Sequence, residues 1–565
     1  MIADRVIRLL EELGTKYVFG VTGSTTVSLV SSISESKQIK LISSLNENSS
    51  LAMADGYSRA SGEIGVVLLH TTPGLTTALP NLYNSYVDNV PLLVLVGDVN
   101  SKFLIKEPGL ALDGLENLAK PVTQWTYYAK SGSDIFAALE RSASILNSSQ
   151  PGPCCIILPE DILELEESRS EKEPVLTRHR NTVKPDGETV SQIISLMDQS
   201  EWPVLIVGRE IKEKSAVNAL VNFCTRLSIP VLLESPYPSA YSVGYPQNNP
   251  CYLGLFRREA EALKGVDLVV ALGGQLVTER KYYEEDPFNN STKIVHITSD
   301  SWQLGKNVRT DVSLLASPEL TALAFDSLSK TKAGNSKLRK SRAEKIQQIF
   351  SKKESERTRF LSKGGKDQLK PWELVKTLKE SLAREDYVII DEGVMASSYL
   401  SELFVFDEPG TLIGRSAGCL GWGIGAAIGA KLALPDKKVI SFVGDGAFMF
   451  APQGLWTAAH YDIPITVVVC NNAGYSSVKL SFDSFGKRTK RKVIGDGTDI
   501  LKPKLDIVKL GEALGVEGFS IENRDQLLKS LKSALSSDHV TLLDVHLDPN
   551  ERGYEGSLGL NSAWT

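Results

Sequence analysis

The sequence predicts an α/β protein built from three doubly wound parallel-sheet domains. Short apolar runs alternate with helical patterns along the whole chain, and many of the runs end at Gly, Asp or Asn. Two charged stretches cut that series into three parts. The length agrees, because 565 residues at about 100–200 per domain give about three domains.

The chain opens with apolar residues at Ile2, Val6, Leu9, Leu10 and Leu13, the spacing of an amphipathic helix running to about Gly14. Asp4, Glu11 and Glu12 within it argue against a signal or transit peptide. In the first part, strands are expected at Tyr17–Gly20, Gly65–Leu69, Leu92–Val96 and Cys155–Leu158. In the middle they fall at Val204–Val207, Pro230–Leu233, Leu268–Leu272 and Ile294–Ile297. In the last part they fall at Val388–Asp391, Val439–Val443 and Ile465–Cys470. Glu166 to Gly187, charged and Pro-containing, reads as a linker. Ser327 to Lys370, dense in Lys, Arg, Ser and Gln, reads as a solvated inter-domain helix with a short apolar face at Ile346, Ile349 and Phe350. The expected domains are therefore 1–165, 188–326 and 371–550.

A formal charge of −6 and a pI near 5.8 give no support to wholesale nucleic-acid binding. Apolar stretches such as Val90–Val96 have strand length and cannot span a bilayer, so no membrane segment is expected and the location should be cytoplasmic. The cysteines Cys154, Cys155, Cys224, Cys251, Cys419 and Cys470 contain no CxxC pair. They read as small buried apolar residues rather than a zinc site or a disulfide framework.

The first and last parts share a local pattern. One strand ends at His70, a Pro/Gly turn and helix follow, and Val90-Pro91 starts a strand ending at Gly97-Asp98. The other ends at Gly444-Asp445-Gly446, a helix follows, and Ile463-Pro464 starts a strand ending at Asn471-Asn472. The repetition predicts two related sheets around a different middle one, with acidic and amide residues at the carboxyl edge, where open α/β sheets bind ligands.

The sharpest motif is Gly444-Asp445-Gly446, followed 27 residues after the Asp by Asn472, within Asn471-Asn472-Ala473-Gly474-Tyr475. Magnesium takes one or two protein oxygens together with phosphate oxygens and water, and Asp445 and Asn472 on successive strands offer a carboxylate and an amide oxygen side by side. The glycines let the backbone approach a diphosphate, and a helix from about Ala447 adds free N–H groups. Each motif alone also reads as a common strand-end turn; their joint spacing favours a ligand site.

The GDG…NN pair at this spacing resembles the cofactor motif of thiamine-diphosphate enzymes, and the similarity extends over nearly the whole chain. It is closest to the decarboxylase and acetohydroxyacid synthase superfamily, with pyrimidine-binding, central and diphosphate-binding domains in that order. The resemblance implies thiamine diphosphate and Mg²⁺ as cofactors, the metal held by Asp445, Asn472 and the carbonyl of Gly474. Gly444, Gly446, Ala447 and Tyr475 complete the cofactor-binding stretch. Glu47, in Leu45-Asn46-Glu47-Asn48, stands where the family carries the glutamate that hydrogen-bonds the aminopyrimidine, and Ala54-Asp55-Gly56-Tyr57-Ser58-Arg59-Ala60-Ser61-Gly62 matches the stretch after it. Without the family, Glu47 reads as a first-turn acid of a helix over Ser50–Ala60. Leu420, 25 residues before Asp445, matches the apolar residue that props the cofactor in its bent form, with the Gly418 carbonyl accepting from its amino group. In this family the glutamate and the diphosphate site come from different subunits, so a homodimer or homotetramer with interfacial active sites is implied.

What the chemistry becomes is set by the amino-terminal domain. Ser24 and His70 match the serine and histidine of benzoylformate decarboxylase that bind the substrate carboxylate and transfer protons, and a histidine suits protonation of an enamine. The reading is non-oxidative decarboxylation of a small-molecule 2-oxo acid, with some carboligation. An acetolactate synthase-type transferase, a 2-hydroxyacyl lyase and a non-catalytic cofactor-binding protein stand as alternatives. FAD, often bound by the central domain of the synthases, stays open, but Pro203 to Asp300 shows no flavin fingerprint. The chain departs from the decarboxylase pattern near Arg280 or Lys281, where a second histidine is missing, and at Val478, where pyruvate decarboxylases carry a glutamate. Lys479 and the run Lys487-Arg488-Thr489-Lys490-Arg491-Lys492 read as a solvated basic loop, or as an attractor for an anionic substrate or acyl-CoA. Loops around Thr25, Leu110 and Val478 and the carboxyl-terminal tail are expected to wall the substrate pocket.

Overall fold

Each apolar run picked out above forms a strand in the computed structural model, with its ends moved by a residue or two. The structure describes residues 1–166, 176, 182–234, 243–278, 283–330, 335–362, 368–500 and 502–550. Most of the expected linker, Arg280, Lys281 and the carboxyl-terminal tail lie outside the described residues.

The first sheet contains β1 (Tyr17–Gly20), β2 (Lys40–Ser43), β3 (Gly65–His70), β4 (Leu92–Asp98), β5 (Trp125–Tyr128) and β6 (Cys154–Pro159). They are ordered β2-β1-β3-β4-β6-β5, all parallel. The middle sheet contains β7 (Pro203–Val207), β8 (Val231–Leu233), β9 (Tyr252–Leu255), β10 (Leu268–Leu272), β11 (Lys293–Thr298) and β12 (Val312–Leu315). Its order is β12-β11-β10-β7-β8-β9. The third contains β13 (Tyr387–Glu392), β14 (Leu412–Ile413), β15 (Lys438–Gly444), β16 (Thr466–Asn471), β17 (Glu517–Ile521) and β18 (Thr541–His546), ordered β14-β13-β15-β16-β18-β17. Sheets one and three therefore share one winding, and the middle sheet has another, as the repeated pattern predicts.

The central strands are buried on both faces, which is why they are continuous Val/Ile/Leu runs. Where the first and third domains touch, helix Glu47–Ser61 crosses helix Gly423–Ala433, the two helices occupying equivalent places in the matching windings. Small residues let their backbones meet: a Cβ on Gly429 would lie 1.9 Å from the Met53 carbonyl oxygen, so no larger residue fits without moving a helix.

Three expectations change. No Pro/Gly turn follows His70; helix Thr71–Val87 begins at once and takes Pro73 and Gly74 into its first turn, where a missing N–H costs little. The helix expected from Ala447 is one turn, Asp445–Phe448, and the chain bends through Pro452 before helix Gly454–His460. Helix Ser336–Leu361 is more than a solvated connector: Arg342, Ile346 and Lys353 are buried, and Arg342 donates to the Met197 carbonyl at 2.7 Å. No described helix is long and apolar enough to cross a membrane.

Candidate active site

Adjacent strands β15 and β16 bring the two halves of the GDG…NN motif together at the carboxyl edge of the third sheet. Asp445 is buried; its Oδ1 accepts the Gly446 N–H at 2.8 Å and its Oδ2 the Gly474 N–H at 3.1 Å. Burial dominates and pushes its carboxyl up to about 6 despite these bonds. Ala473, at φ 55°, turns the chain so that Gly474 can reach Asp445. The Gly474 carbonyl accepts one N–H, from Ser476 at 3.1 Å, and keeps a second lone pair. Asn472 Oδ1 is buried and has no hydrogen-bond partner among the described residues. An unpaired amide oxygen beside a buried carboxylate is costly in a folded chain unless a cation or donor satisfies it. This oxygen set suits a hard divalent cation such as Mg²⁺, and no cluster of three or more His, Cys, Asp or Glu ligands occurs among the described residues. Sequence reasoning missed the neighbouring corner. There β13 ends and helix Met395–Leu403 starts beside Gly444, with the Gly393 carbonyl 3.6 Å from where a Gly444 side chain would begin. Only one helical turn follows Asp445, so this longer helix is the one whose amino-terminal end lies at this corner. Its one sequence sign was the Asp391-Glu392-Gly393 strand end.

Leu420 is half-buried on a loop between two left-handed glycines, Gly418 (φ 85°) and Gly421 (φ 86°). The first domain of the same chain clasps this loop. Asn84 exchanges bonds with the Cys419 backbone at 3.0 and 3.1 Å, and Asn81 donates to the Gly421 carbonyl at 3.3 Å. Buried Glu392 then caps the following helix, accepting the Gly423 N–H at 2.7 Å and the Arg415 guanidinium at 2.9 Å.

In the first sheet, Glu47 is the first residue of helix Glu47–Ser61, whose N-cap Asn46 accepts the N–H groups of Asn48 and Ser49. It lies against the start of helix Thr71–Val87, its Cγ 3.6 Å from where a Gly74 side chain would begin. His70 ends β3 in the same corner. Gly23 lies on its ring, where any Cβ would come within 2.3 Å of His70 Cγ. Ser24, next along, is exposed and makes no hydrogen bond to His70 in the structure. Thr25, expected as a pocket wall, is instead buried and bonds His70 Nδ1 at 2.8 Å. Thr71, at φ 33°, is held by a 2.7 Å bond to Asp98 Oδ1. Leu110 and Val478 are exposed. Lys479 pairs with Asp499, and the basic run covers the last residues of helix Ser476–Thr489 and the loop that follows it; its lysines and arginines are exposed.

The middle sheet reverses direction between β7 and β10, the place where such sheets take nucleotides. There a side chain holds the donors a phosphate would need: buried Glu234 accepts the N–H of Gln275 at 2.8 Å and of Arg209 at 3.1 Å. A carboxylate holding these N–H groups does not fit the diphosphate of FAD.

Comparison with known proteins agrees with this architecture. Residues 1–109 match the thiamine pyrophosphate enzyme N-terminal TPP binding domain, 190–325 the central domain and 394–545 the C-terminal TPP binding domain. The acetolactate synthase large subunit of Lactococcus lactis is 26% identical over 554 residues, covering 97% of this chain and 92% of that protein. Isozyme 3 of Escherichia coli is 25% identical over 595 residues, covering 100% and 98%. Among solved structures, benzoylformate decarboxylase from Polynucleobacter necessarius aligns with a TM-score of 0.83 at 22% identity, covering 98% of this chain and 99% of that one. A thiamine diphosphate-dependent 4-hydroxybenzoylformate decarboxylase from Rhodococcus jostii aligns at 0.81 and 23%, covering 97% and 99%. With all three domains in order and the motifs of both cofactor-binding domains in place, the chain belongs to the thiamine pyrophosphate enzymes.

Proposed function

We propose that the chain catalyses non-oxidative decarboxylation of a 2-oxo acid, with Mg²⁺ held by Asp445, Asn472 and the Gly474 carbonyl. The observation that carries this reading is His70 at the carboxyl end of β3, with Nδ1 bonded to Thr25 and Nε2 without a partner among the described residues. Bound thiamine diphosphate supplies the electron sink that lets a 2-oxo acid lose CO₂. Gly444, Gly446, Ala447 and Tyr475 would border its diphosphate, Gly418 and Leu420 would support its middle, and Glu47 would hold a proton at the pyrimidine end. Ser24 binds the substrate carboxylate, and His70 delivers a proton from Nε2 to the product carbon, favouring aldehyde release.

Apolar side chains left exposed near both halves of the site support a homo-oligomer in which a partner subunit completes it: Leu45, Phe103 and Ile105 on one side, Phe450 and Val478 on the other. The Glu234 carboxylate supports an enzyme without FAD, and its free cysteines suit a reducing cytoplasm.

The full-length similarity to acetolactate synthase large subunits favours a second reading, in which a second carbonyl competes with the proton. Product analysis separates them. The pure protein is incubated with thiamine diphosphate, Mg²⁺ and either pyruvate or benzoylformate. Aldehyde with CO₂ is the expected result; acetolactate from pyruvate would assign the transferase reaction instead.

A further inference from the structure

We infer that Thr25 is the positioning residue that fixes which nitrogen of His70 carries the proton. The inference deepens the reading of His70 as proton donor and rests on it for its catalytic meaning. It comes from counting protons on one hydroxyl. Thr25 Oγ1 lies 2.8 Å from the Gly97 carbonyl and 2.8 Å from His70 Nδ1. A carbonyl oxygen only accepts, so the single hydroxyl proton is used there. Towards His70 the hydroxyl is then an acceptor, and Nδ1 must be the donor.

The neutral ring is therefore the Nδ1–H tautomer, with its lone pair on Nε2. The protonated ring carries its deliverable proton on Nε2. Each decarboxylation consumes one proton. The Nε2–H bond breaks as the product C–H bond forms, and the Nε2 lone pair then takes a proton from water. The opposite tautomer, already protonated at Nε2 and neutral, would be a far weaker acid there.

Three chain segments hold the arrangement in place. Thr25 is 3% exposed in the loop after β1, His70 ends β3, and Gly97 lies in β4. Gly23 covers the ring, so it cannot turn freely. The sequence contains nothing that marks this threonine, because the pairing joins residues 45 positions apart.

Thr25→Val keeps the shape and removes the hydroxyl, and Thr25→Ser restores it. The first readout is the tautomer of His70 by ¹⁵N NMR of the full-length protein, at about pH 8.5, above the ordinary imidazole range. Wild type and Thr25→Ser should show Nδ1–H, and Thr25→Val should lose it. The second readout is aldehyde formation. Thr25→Val should lower kcat about 10- to 100-fold, within the range of general acid–base effects, with KM within about twofold and with Thr25→Ser restoring the rate. An Nε2–H tautomer in the wild type, or an unchanged tautomer in Thr25→Val, overturns the inference; the wild-type spectrum decides even if the valine variant does not fold. If His70→Ala still forms aldehyde at the wild-type rate, the reading of His70 as proton donor fails while the tautomer result stands on its own.

Discussion

Arg209 of the middle domain meets Asp88 of the first through a 2.7 Å bond from Nη1 to Oδ1. Oδ2 of the same carboxylate pairs with Arg59 at 3.0 Å and accepts the Ser416 N–H of the third domain at 3.0 Å. One buried carboxylate thus ties three domains together, and the Ser416 it holds stands two residues before Gly418. Removing it leaves two guanidinium groups with too few partners. Asp88→Ala is expected to destabilise the protein by about 3–5 kcal/mol. Denaturant unfolding of the variant against wild type measures it, and a loss under about 1 kcal/mol, the surface-pair scale, would mean that the junction is not held there.

The same carboxylate gives a pH dependence. Burial would raise its pKa, but Arg59, Arg209 and the hydrogen bonds from Ser416 together outweigh burial and hold it below the ordinary range. A carboxyl depressed in the folded state contributes stability above its unfolded pKa and loses it as pH falls through the folded value. The contribution is full at neutral pH and fades below about pH 4. Asp88→Ala should therefore show a flatter Tm against pH than wild type in that acid range; parallel curves would count against it.

Much of this fold was legible because buried parallel strands are apolar on both faces. Two edge strands escaped for the complementary reason. Val312–Leu315 alternates half-buried and exposed residues, and Glu517–Ile521 has one fully buried residue, so neither makes an apolar run. Within β18, buried Asp544 interrupts the pattern; it is kept there by a 2.8 Å bond from Asn471 Nδ2. At the site, Asp445 and Asn472 were readable because both sit at strand ends within one motif. Thr25, Asn81, Asn84 and Glu234 were not, since each acts through a partner that only tertiary structure brings near.

Glu47→Gln keeps the shape of the side chain at the start of its helix and removes the carboxylate. Deuterium exchange at the reactive carbon of bound thiamine diphosphate is expected to slow by about 10²–10⁴-fold, the usual range for one acid–base group. Cofactor affinity should change little. Full activity in this variant would remove the mechanism and revive the reading of Glu47 as a helix-start acid.

Asn472→Ala separates a metal ligand from a structural amide. Oδ1 has no partner within the chain, so its loss should not lower the Tm of the cofactor-free protein. A bound ligand raises Tm in proportion to its affinity, and the rise with Mg²⁺ and thiamine diphosphate should shrink. A structural amide would give the reverse, a lower Tm in the free protein with the cofactor-dependent rise unchanged.

Glu234 gives the proposal of an enzyme without flavin a direct test. Its carboxylate occupies the backbone N–H groups of Arg209 and Gln275 and approaches the Arg209 guanidinium at 3.4 Å, so a flavin diphosphate would have to displace an ion pair already satisfied by the protein. The purified enzyme should release no flavin on denaturation, and added FAD should neither raise its Tm nor lose fluorescence on mixing. Glu234→Ala should lower Tm, because Arg209 then loses one of its two carboxylates. Stoichiometric flavin in the wild-type protein would show that the side chain moves aside, and would shift the weight to the synthase reading.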